Sequence, residues 1–363
     1  MKWSPQQDAA LCDVARWLGR ADDQQVYVLA GAAGTGKTTL AKHIAEGVDG
    51  QVNFVAFTGK AAHVLRRKGC TDASTVHNLI YRLVSEGTSK KKLEFELNDA
   101  SRVRDAGLII ADECSMIDRQ MADDLLSFEV PVLVLIDPHQ LPPVSGAGYF
   151  TNMKPNFLLT EIHRQALDNP IIHLATMVRQ GKRLELGSYG DSKVVTLQSH
   201  DFDAVGADQI LVGRNKSRKE INCGIRLKRL KYEGAYPVKN DKLVCLRNEY
   251  VQDLLNGSLW RVIAGPQRHN DDLVIELVDD DGEGEQRLVT THAGYFDGRG
   301  VESYAQEYVP FDYGYALTVH KGQGSEWDNI LLHDESFCFR TDAARWLYTG
   351  ISRAVERITI VKW

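Results

Sequence analysis

Nine residues near the N-terminus constrain this chain more than any other segment. Residues 31–39 read Gly-Ala-Ala-Gly-Thr-Gly-Lys-Thr-Thr, the phosphate-loop pattern in which glycines and a Gly-Lys-Thr run follow a strand and open a helix. The glycines let backbone N–H groups converge on phosphate oxygens, and the helix N-terminus adds positive potential. Lys37 is expected to reach the β- and γ-phosphates and Thr38 to bind Mg²⁺. The nucleotide-binding residues of the loop are Gly31, Gly34, Gly36, Lys37, Thr38 and Thr39.

The first half of the chain alternates short apolar runs with amphipathic stretches. Residues 25–30, 52–57, 108–111 and 130–136 predict strands that are apolar on both faces, as a buried parallel sheet requires. Helical patterns lie between them, which indicates βαβ units and an α/β core. The chain has 363 residues, enough for two or three domains.

Polar residues follow two of these strands. Asp112 and Glu113 come directly after a buried strand, where phosphate-loop chemistry needs a carboxylate to hold Mg²⁺. We expect Asp112 to hold the metal through water and Glu113 to polarise the attacking water. Gln140 follows the strand at 130–136, where an amide can sense the γ-phosphate. From chemistry alone, an ordinary turn explains Gln140 equally well.

Charge is unevenly distributed along the second half. Residues 214–231 carry eight Lys and Arg against one Glu, and residues 271–285 carry eight carboxylates, while the net charge of the chain is −6. This excludes a uniformly basic nucleic-acid binder but not a local basic groove. The basic stretch has two open interpretations, a nucleic-acid contact or a solvated helix face. Short alternating segments between residues 242 and 291 predict a small antiparallel barrel inserted into a second α/β domain.

Composition also bears on the compartment. The sequence contains no run of eighteen apolar residues and no apolar core of a signal peptide near Met1. Its six cysteines form no Cys-x-x-Cys pair. We therefore expect a cytoplasmic protein with free thiols, no membrane segment and no zinc cluster.

In chain order, these motifs resemble those of superfamily 1B helicases, the branch with RecD-like, Dda-like and Pif1-like enzymes. Residues 4–11 are similar to the adenine-reading Q motif, 31–39 to motif I, 57–62 to motif Ia, 74–77 to motif Ib, 112–116 to motif II, 137–143 to motif III, 159–165 to motif IV, 314–326 to motif V and 347–354 to motif VI. The resemblance covers nearly the whole chain. Motifs I, II, V and VI together are highly specific.

The resemblance implies a role for particular residues, with ATP and Mg²⁺ as cofactors. The catalytic set would be Lys37, Glu113, Gln140, Arg164 and Arg353, with Arg164 facing the γ-phosphate and Arg353 as arginine finger. Thr38 and Asp112 would hold the metal. Further nucleotide contacts would be Gln7, His163, Gly324 and Glu326; His163 stands where the family usually has an aromatic ring stacked on adenine. Nucleic-acid contacts would be Thr58, Lys60, Thr75, His77, Phe95, Thr318, His320 and Lys321.

The implied fold is α/β, with two RecA-like parallel-sheet domains in tandem and ATP in the cleft between them. The expected division is domain 1A at residues 1–80 and 105–155, a 1B hairpin insertion at 81–104, domain 2A at 156–235 and 308–363, and an SH3-like barrel, domain 2B, at 236–307.

Two functions follow from this resemblance. The first is an ATP-dependent 5′→3′ DNA helicase that moves along single strands and unwinds duplex, in replication or repair. The alternative is a nucleic-acid-stimulated ATPase that translocates or remodels complexes without separating strands. Expected partners are single-stranded DNA, a DNA fork and replication or repair proteins, with RNA left open, and the motor is expected to be a monomer. Phe95 is a candidate wedge at the fork; its other interpretation is an anchor of the hairpin on domain 1A.

Overall fold

A computed structural model describes residues 3–20, 23–83, 95–142, 148–162, 168–197, 206–249, 252, 254–280, 284, 286–301 and 308–362. The helices in these ranges are α1 (Pro5–Leu18), α2 (Lys37–Glu46), α3 (Gly59–Arg67), α4 (Val76–Ile80), α5 (Arg119–Leu126), α6 (Pro170–Arg179), α7 (Asn215–Leu230) and α8 (Ala343–Ile351). The strands are β1 (Val26–Gly31), β2 (Gln51–Ala56), β3 (Ser74–Thr75), β4 (Tyr81–Leu83), β5 (Phe95–Leu97), β6 (Ala106–Asp112), β7 (Val132–Ile136), β8 (Phe157–Leu159), β9 (Gly187–Tyr189), β10 (Ser192–Thr196), β11 (Gln209–Val212), β12 (Lys242–Cys245), β13 (Leu259–His269), β14 (Asp272–Asp279), β15 (Arg287–His292), β16 (Phe311–Tyr313), β17 (Ala316–Thr318), β18 (Trp327–His333) and β19 (Ala354–Lys362).

The first domain is built on a parallel sheet in the order β3-β2-β6-β7-β1-β8. Successive side chains of a strand point to opposite faces, and along β1 Val28 and Leu29 belong to two different apolar clusters. Helices α4 and α5 pack with Val28, and helices α1 and α2 pack with Leu29. Helices therefore cover both faces of the sheet, which explains why the central strands β1 and β7 carry apolar side chains toward each face.

The second domain repeats this architecture with the order β17-β11-β18-β19-β10-β9. Its strand pairs are parallel except for β9, which joins β10 antiparallel at the edge. Helices α6 and α8 pack on this sheet around Trp346, which is fully buried. The predicted pair of parallel-sheet α/β domains is confirmed.

Two expected domain boundaries are wrong by one short strand each. Strand β8 was assigned to domain 2A, but Phe157 pairs with Leu29 at the edge of the first sheet. Strand β16 was also assigned to domain 2A, but Phe311 pairs with Cys245 and is fully buried in the antiparallel sheet. Each strand has three residues, too few for the alternation of apolar and polar residues to indicate which sheet it joins.

The predicted β-rich stretch forms an antiparallel sheet in the order β15-β14-β13-β12-β16. Helix α7 of the second domain holds it through two ion pairs. Arg226 is 4% exposed and pairs with Asp241 at 2.8 Å, and Arg218 pairs with Asp312 at 2.7 Å. The basic stretch is therefore partly structural, because two of its cations fasten the antiparallel sheet to the domain.

A second, smaller ladder pairs β4 with β5, with Tyr81 opposite Leu97 and Leu83 opposite Phe95. Residues 84–94 of the expected 1B insertion lie outside the described residues. No helix in the described ranges is long and apolar enough to cross a membrane.

Candidate active site and nucleic-acid interface

The phosphate loop connects β1 to α2. Gly34 and Gly36 have φ of 81° and 84°, a left-handed conformation that residues with a Cβ rarely adopt. Gly36 is also the N-cap of α2, so the loop ends where the helix N-terminus begins. The Lys37 ammonium donates to the carbonyl oxygens of Gly31 at 2.7 Å and Ala32 at 3.2 Å. The lysine is therefore folded back on the loop.

The metal-binding candidates lie side by side at the carboxyl end of the first sheet. The Thr38 hydroxyl, on α2, donates to Asp112 Oδ2, at the end of β6, at 3.4 Å. Burial and then the neighbouring Glu113 charge raise the pKa of Asp112 to about 6. Within the described residues no group of three or more His, Cys, Asp or Glu could hold a metal. One hydroxyl and one carboxylate suit Mg²⁺, which takes its other ligands from phosphates and water.

Glu113 begins a 3₁₀ turn after β6 and has φ of 50°, rare for a residue with a Cβ. Gln140 Nε2 lies 3.5 Å from Glu113 Oε1, so motifs II and III meet here. Burial would raise the pKa of Glu113, but the charges of Arg353 and Lys37 outweigh it and hold the pKa below its ordinary value. Glu113 is therefore a carboxylate at neutral pH.

Arg353 reaches Glu113 from the second domain. It lies at the junction of α8 and β19, and its terminal nitrogens lie 3.3 and 3.4 Å from Glu113 Oε1. Its side chain is 3% exposed, and its Nε has no hydrogen-bond partner in the described part of the chain. A cleft of about 1080 Å³ between the domains is lined by Lys37, Thr38, Thr39, Asp112, Glu113, Gln140, Gly324, Glu326 and Arg353. Motifs I, II, III, V and VI therefore share one cleft.

Two of the predicted nucleotide contacts, His163 and Arg164, lie outside the described residues. Gln7 is 3% exposed and braces the phosphate loop, because its Nε2 donates to the Thr35 carbonyl at 3.2 Å. Its Oε1 accepts from the N–H of Ser4 in a capping box that begins α1. Gln7 is thus adjacent to the loop, with its amide already bonded at both ends.

Motif V contacts the first domain directly. Gly324 has φ of 72°, and a Cβ there would lie 3.1 Å from the Thr58 hydroxyl. Glu326 forms an ion pair with Lys68, just beyond α3, at 2.7 Å. Both predicted nucleotide contacts of motif V therefore line the cleft and also join the two domains.

The predicted nucleic-acid contacts of motifs Ia and Ib lie at helix starts. The hydroxyls of Thr58 and Thr75 accept from the backbone N–H groups of Ala61 and Asn78, each at 3.1 Å, and so cap α3 and α4. The Lys60 ammonium lies 4.1 Å from the centre of the Trp327 ring in the second domain. Lys60 thus lies between the domains, at a second cavity of about 700 Å³.

Motif V adds three further candidates. The Thr318 hydroxyl accepts from the backbone N–H of Lys321 at 3.3 Å, and the Lys321 ammonium donates to Asn256, in the turn before β13. Burial lowers the pKa of Lys321 and the pKa of His320. The His320 ring packs 5.4 Å from the ring of Phe339. At neutral pH, His320 therefore offers an uncharged ring.

His77 and Phe95 are in contact. Their ring centres lie 4.6 Å apart with the planes at 82°, and His77 also contacts Tyr81 at 4.8 Å. The β4–β5 ladder is therefore attached to motif Ib through an aromatic cluster, as the anchor interpretation of Phe95 requires.

Sequence reasoning missed two residues that join the domains beside this cleft. Tyr348 OH bonds the N–H of Ala33 and the carboxylate of Asp137, and the Thr349 hydroxyl accepts from the N–H of Leu141. Both residues lie in the segment that resembles motif VI, in which the resemblance implies a role for Arg353 alone. The local sequence around Tyr348 does not indicate that its hydroxyl has polar partners, because both partners belong to the other domain.

Comparisons with known proteins show which family this chain resembles. The family model described as an AAA domain matches residues 2–200, and the UvrD-like helicase C-terminal domain matches residues 313–361. The chain is 31% identical over 371 residues to the ATP-dependent RecD2 DNA helicase of Deinococcus radiodurans, with 94% of this chain covered. It is 32% identical over 228 residues to the ATP-dependent DNA helicase dda of Enterobacteria phage T4, with 54% covered.

The chain belongs to the superfamily 1B helicases of the RecD and Pif1 type. It spans about half the length of the curated relatives above, 47% of RecD2 and 51% of Dda.

Solved structures of superfamily 1B members share the fold. A Pif1 structure described as unwinding forked double-stranded DNA superimposes with a TM-score of 0.57 at 19% identity, covering 99% of this chain and 92% of that one. Bacteroides Pif1 bound to single-stranded DNA gives 0.53 at 18% identity, with the same coverage. At these identities the likeness shows the tandem α/β fold.

Proposed function

We propose that this chain is an ATP-driven DNA helicase that moves 5′→3′ along single-stranded DNA and separates the duplex ahead of it. The contact between Arg353 and Glu113 carries the proposal, because it brings a buried cation of the second domain to the carboxylate beside the phosphate loop. Hydrolysis would then require contact between the two domains, and a motor needs such coupling between its ATPase cycle and domain movement. The relatives named as ATP-dependent DNA helicases support the same function.

The cleft would hold ATP through the phosphate loop, and Mg²⁺ through Thr38 and Asp112. When bound, Mg²⁺ neutralises charge on the β- and γ-phosphates. Lys37 would leave the carbonyls of Gly31 and Ala32 and bind phosphate oxygens, because an ammonium gains more from an anion than from a neutral carbonyl.

The proton of the attacking water would pass to Glu113. Its carboxylate is ionised at neutral pH, and the Gln140 amide beside it would orient the water. Arg353 would turn from Glu113 to the γ-phosphate and stabilise the charge that develops there, which typically raises the rate about 10³–10⁵-fold. Its unpartnered Nε gives the guanidinium a further donor for that contact.

Strand binding would couple to this step through motifs Ia, Ib and V. Lys60 of the first domain contacts Trp327 of the second domain. Lys321 of the second domain contacts Asn256, in the turn before β13 of the antiparallel sheet. A nucleic-acid strand that drew these ammonium groups to phosphates would change contacts between domains. We propose that these changes favour the closed cleft and so stimulate hydrolysis.

The two small sheets would act on the nucleic acid. We assign the β4–β5 ladder to the 1B hairpin and the five-stranded antiparallel sheet to the SH3-like domain 2B. Both the phosphate loop and the arginine come from one chain, which supports a monomeric motor. We also propose a cytoplasmic site of action, with single strands and the DNA fork as partners.

Unwinding of duplexes with either a 5′ or a 3′ single-stranded tail, in DNA and in RNA, tests the proposal. We expect ATP-dependent strand separation of the 5′-tailed DNA, and hydrolysis that rises strongly with single-stranded DNA. Arg353→Ala is expected to lose the stimulated rate while still binding DNA. Unwinding only from 3′ tails would overturn the direction. Stimulated hydrolysis without strand separation on any duplex would favour the translocase.

A further inference from the structure

The hydroxyl of Tyr348, in the second domain, forms a hydrogen bond with each of two motifs of the first domain, motif I and motif III. Tyr348 lies in α8 and is 2% exposed. Its hydroxyl accepts from the backbone N–H of Ala33 in the phosphate loop at 2.7 Å and donates to Asp137 Oδ2 at 2.7 Å. Because the Tyr348 oxygen accepts the amide proton of Ala33, its own hydroxyl proton is donated to the Asp137 carboxylate.

The two carboxylate oxygens of Asp137 bond different domains: Oδ2 accepts from Tyr348 of the second domain, and Oδ1 accepts from a group of the first domain. That group is the backbone N–H of His139, at 3.0 Å, and the bond shapes the turn that carries Gln140. At the other end of this turn, the Thr349 hydroxyl accepts from the N–H of Leu141 at 2.9 Å. Helix α8 therefore holds both ends of the turn whose amide contacts Glu113.

The same helix leads to the arginine. Arg353 follows Tyr348 by five residues and reaches Glu113 across the cleft. The bonds of Tyr348 and the contact of Arg353 with Glu113 are present together, and both side chains come from the same end of α8. We propose that Tyr348 is a positioning residue, whose hydroxyl sets α8 against the phosphate loop and the Gln140 turn and thereby sets the approach of Arg353; this rests on the proposed function.

The hydroxyl, rather than the ring, makes this connection. The ring belongs to the apolar core of the second domain, and a phenylalanine keeps that packing. Tyr348→Phe therefore removes two hydrogen bonds between domains and little else. Tyr27→Phe is a matched control, because Tyr27 is also 2% exposed and donates to a carboxylate, Asp13, at 2.6 Å within the first domain.

Two measurements on both variants test the proposal. In Tyr348→Phe we expect the DNA-stimulated kcat for ATP to fall on the order of tenfold, while the KM for ATP stays within about twofold, because a bond to a charged partner is lost but no phosphate contact is. Hydrogen exchange of a peptide spanning residues 31–36, without nucleotide, should be faster, because the Ala33 amide loses its acceptor. Tyr27→Phe should match the parent in both.

Several outcomes overturn the proposal. A parent-like kcat in Tyr348→Phe refutes it, as does an equal fall in Tyr27→Phe, since that would be a general effect of losing a buried hydroxyl. Unchanged exchange of the 31–36 peptide refutes the contact itself. A parent enzyme that DNA does not stimulate would instead refute the proposed function, so the two failures are distinguishable.

Discussion

Replacing Phe95 decides whether the β4–β5 ladder separates strands or only supports the first domain. The side chain is half-buried, lies opposite Leu83 in the ladder and contacts the ring of His77 at 4.6 Å. If it acts at the fork, Phe95→Ala is expected to slow unwinding several-fold and leave DNA-stimulated ATPase almost intact. If it is an anchor, the variant loses stability, and both activities fall together.

The two interpretations predict effects of similar size on different quantities. As an anchor, Phe95 contributes the aromatic pair with His77, about 0.5–1.5 kcal/mol, and roughly 1 kcal/mol from partial burial of its ring. As a wedge, it stacks on a base for about 1–3 kcal/mol, while opening one base-pair step costs about 1.4 kcal/mol. The stacking energy of one ring is therefore comparable to the cost of opening one base-pair step, so Phe95 could bias the fork. The stability lost with the ring is small enough for the variant to remain folded.

Two further variants separate packing from stacking. Phe95→Leu keeps an apolar side chain of similar size against the first domain but removes the aromatic face. Leu97→Ala weakens the same strand, because Leu97 packs against the apolar core of the first domain, and it leaves Phe95 in place. Single-turnover unwinding, DNA-stimulated ATPase and melting temperature are measured on the parent and on all three variants.

The wedge predicts that Phe95→Leu unwinds as slowly as Phe95→Ala, while Leu97→Ala unwinds at nearly the parent rate with a lower melting temperature. Normal unwinding by Phe95→Leu would refute the wedge. Equal losses of both activities in Phe95→Ala and Leu97→Ala would show that the ladder acts only as support.

Three other predictions concern chemistry, strand binding and stability. Lys37→Ala is expected to abolish hydrolysis, and Glu113→Gln to keep nucleotide binding while turnover falls about 10²-fold or more, because the base is lost; equal turnover of Glu113→Gln and parent would rule out the assignment. Affinity for single strands should fall with salt, with a log–log slope near −0.7 per phosphate. Lys321→Ala should make that slope shallower by about 0.7, because in the parent the Lys321 ammonium would leave Asn256 for a phosphate. Glu335 is fully buried and bonded to Gly213, Arg214 and Ser217, so Glu335→Gln should lower the free energy of unfolding by about 3 kcal/mol in thermal or urea melts. Burial would raise the pKa of Glu335, but the bonds from Ser217 and Arg214 outweigh it and lower the pKa; the ionised form thus stabilises the fold above the unfolded pKa of about 4.3, and the difference from the parent should shrink as pH falls below about 4.

The sequence predicted the parallel sheets well because their strands are apolar on both faces. Strands β1, β6 and β7 lie within two residues of their expected bounds, since helices cover both sides of the sheet and favour apolar side chains on each. Strands β8 and β16 were assigned to the wrong unit. Each pairs with a strand more than 50 residues away, and a three-residue segment carries no information about such a partner.

The site divides in the same way into local and distant parts. The phosphate loop and the pair Asp112 and Glu113 are local patterns, and the structure places them together. Arg353 was expected at the nucleotide only through the family resemblance, because 240 residues separate it from Glu113. Tyr348 was not expected at all, since the polarity of its site comes from Asp137 and Ala33, which another domain supplies.

The ion pair between Arg353 and Glu113 suggests how the proposed hydrolysis is linked to the contact between the two domains. Arg353 is nearly inaccessible to water, so without a phosphate it needs another anion, and Glu113 is the carboxylate within reach. While that pair persists, Glu113 has an oxygen committed to a cation and accepts a proton less readily, because the cation lowers its pKa. The arginine must leave the base before either can act, and the γ-phosphate is the anion that can draw it away. Base and arginine are thus released by the same event, which makes catalysis depend on how the two domains close.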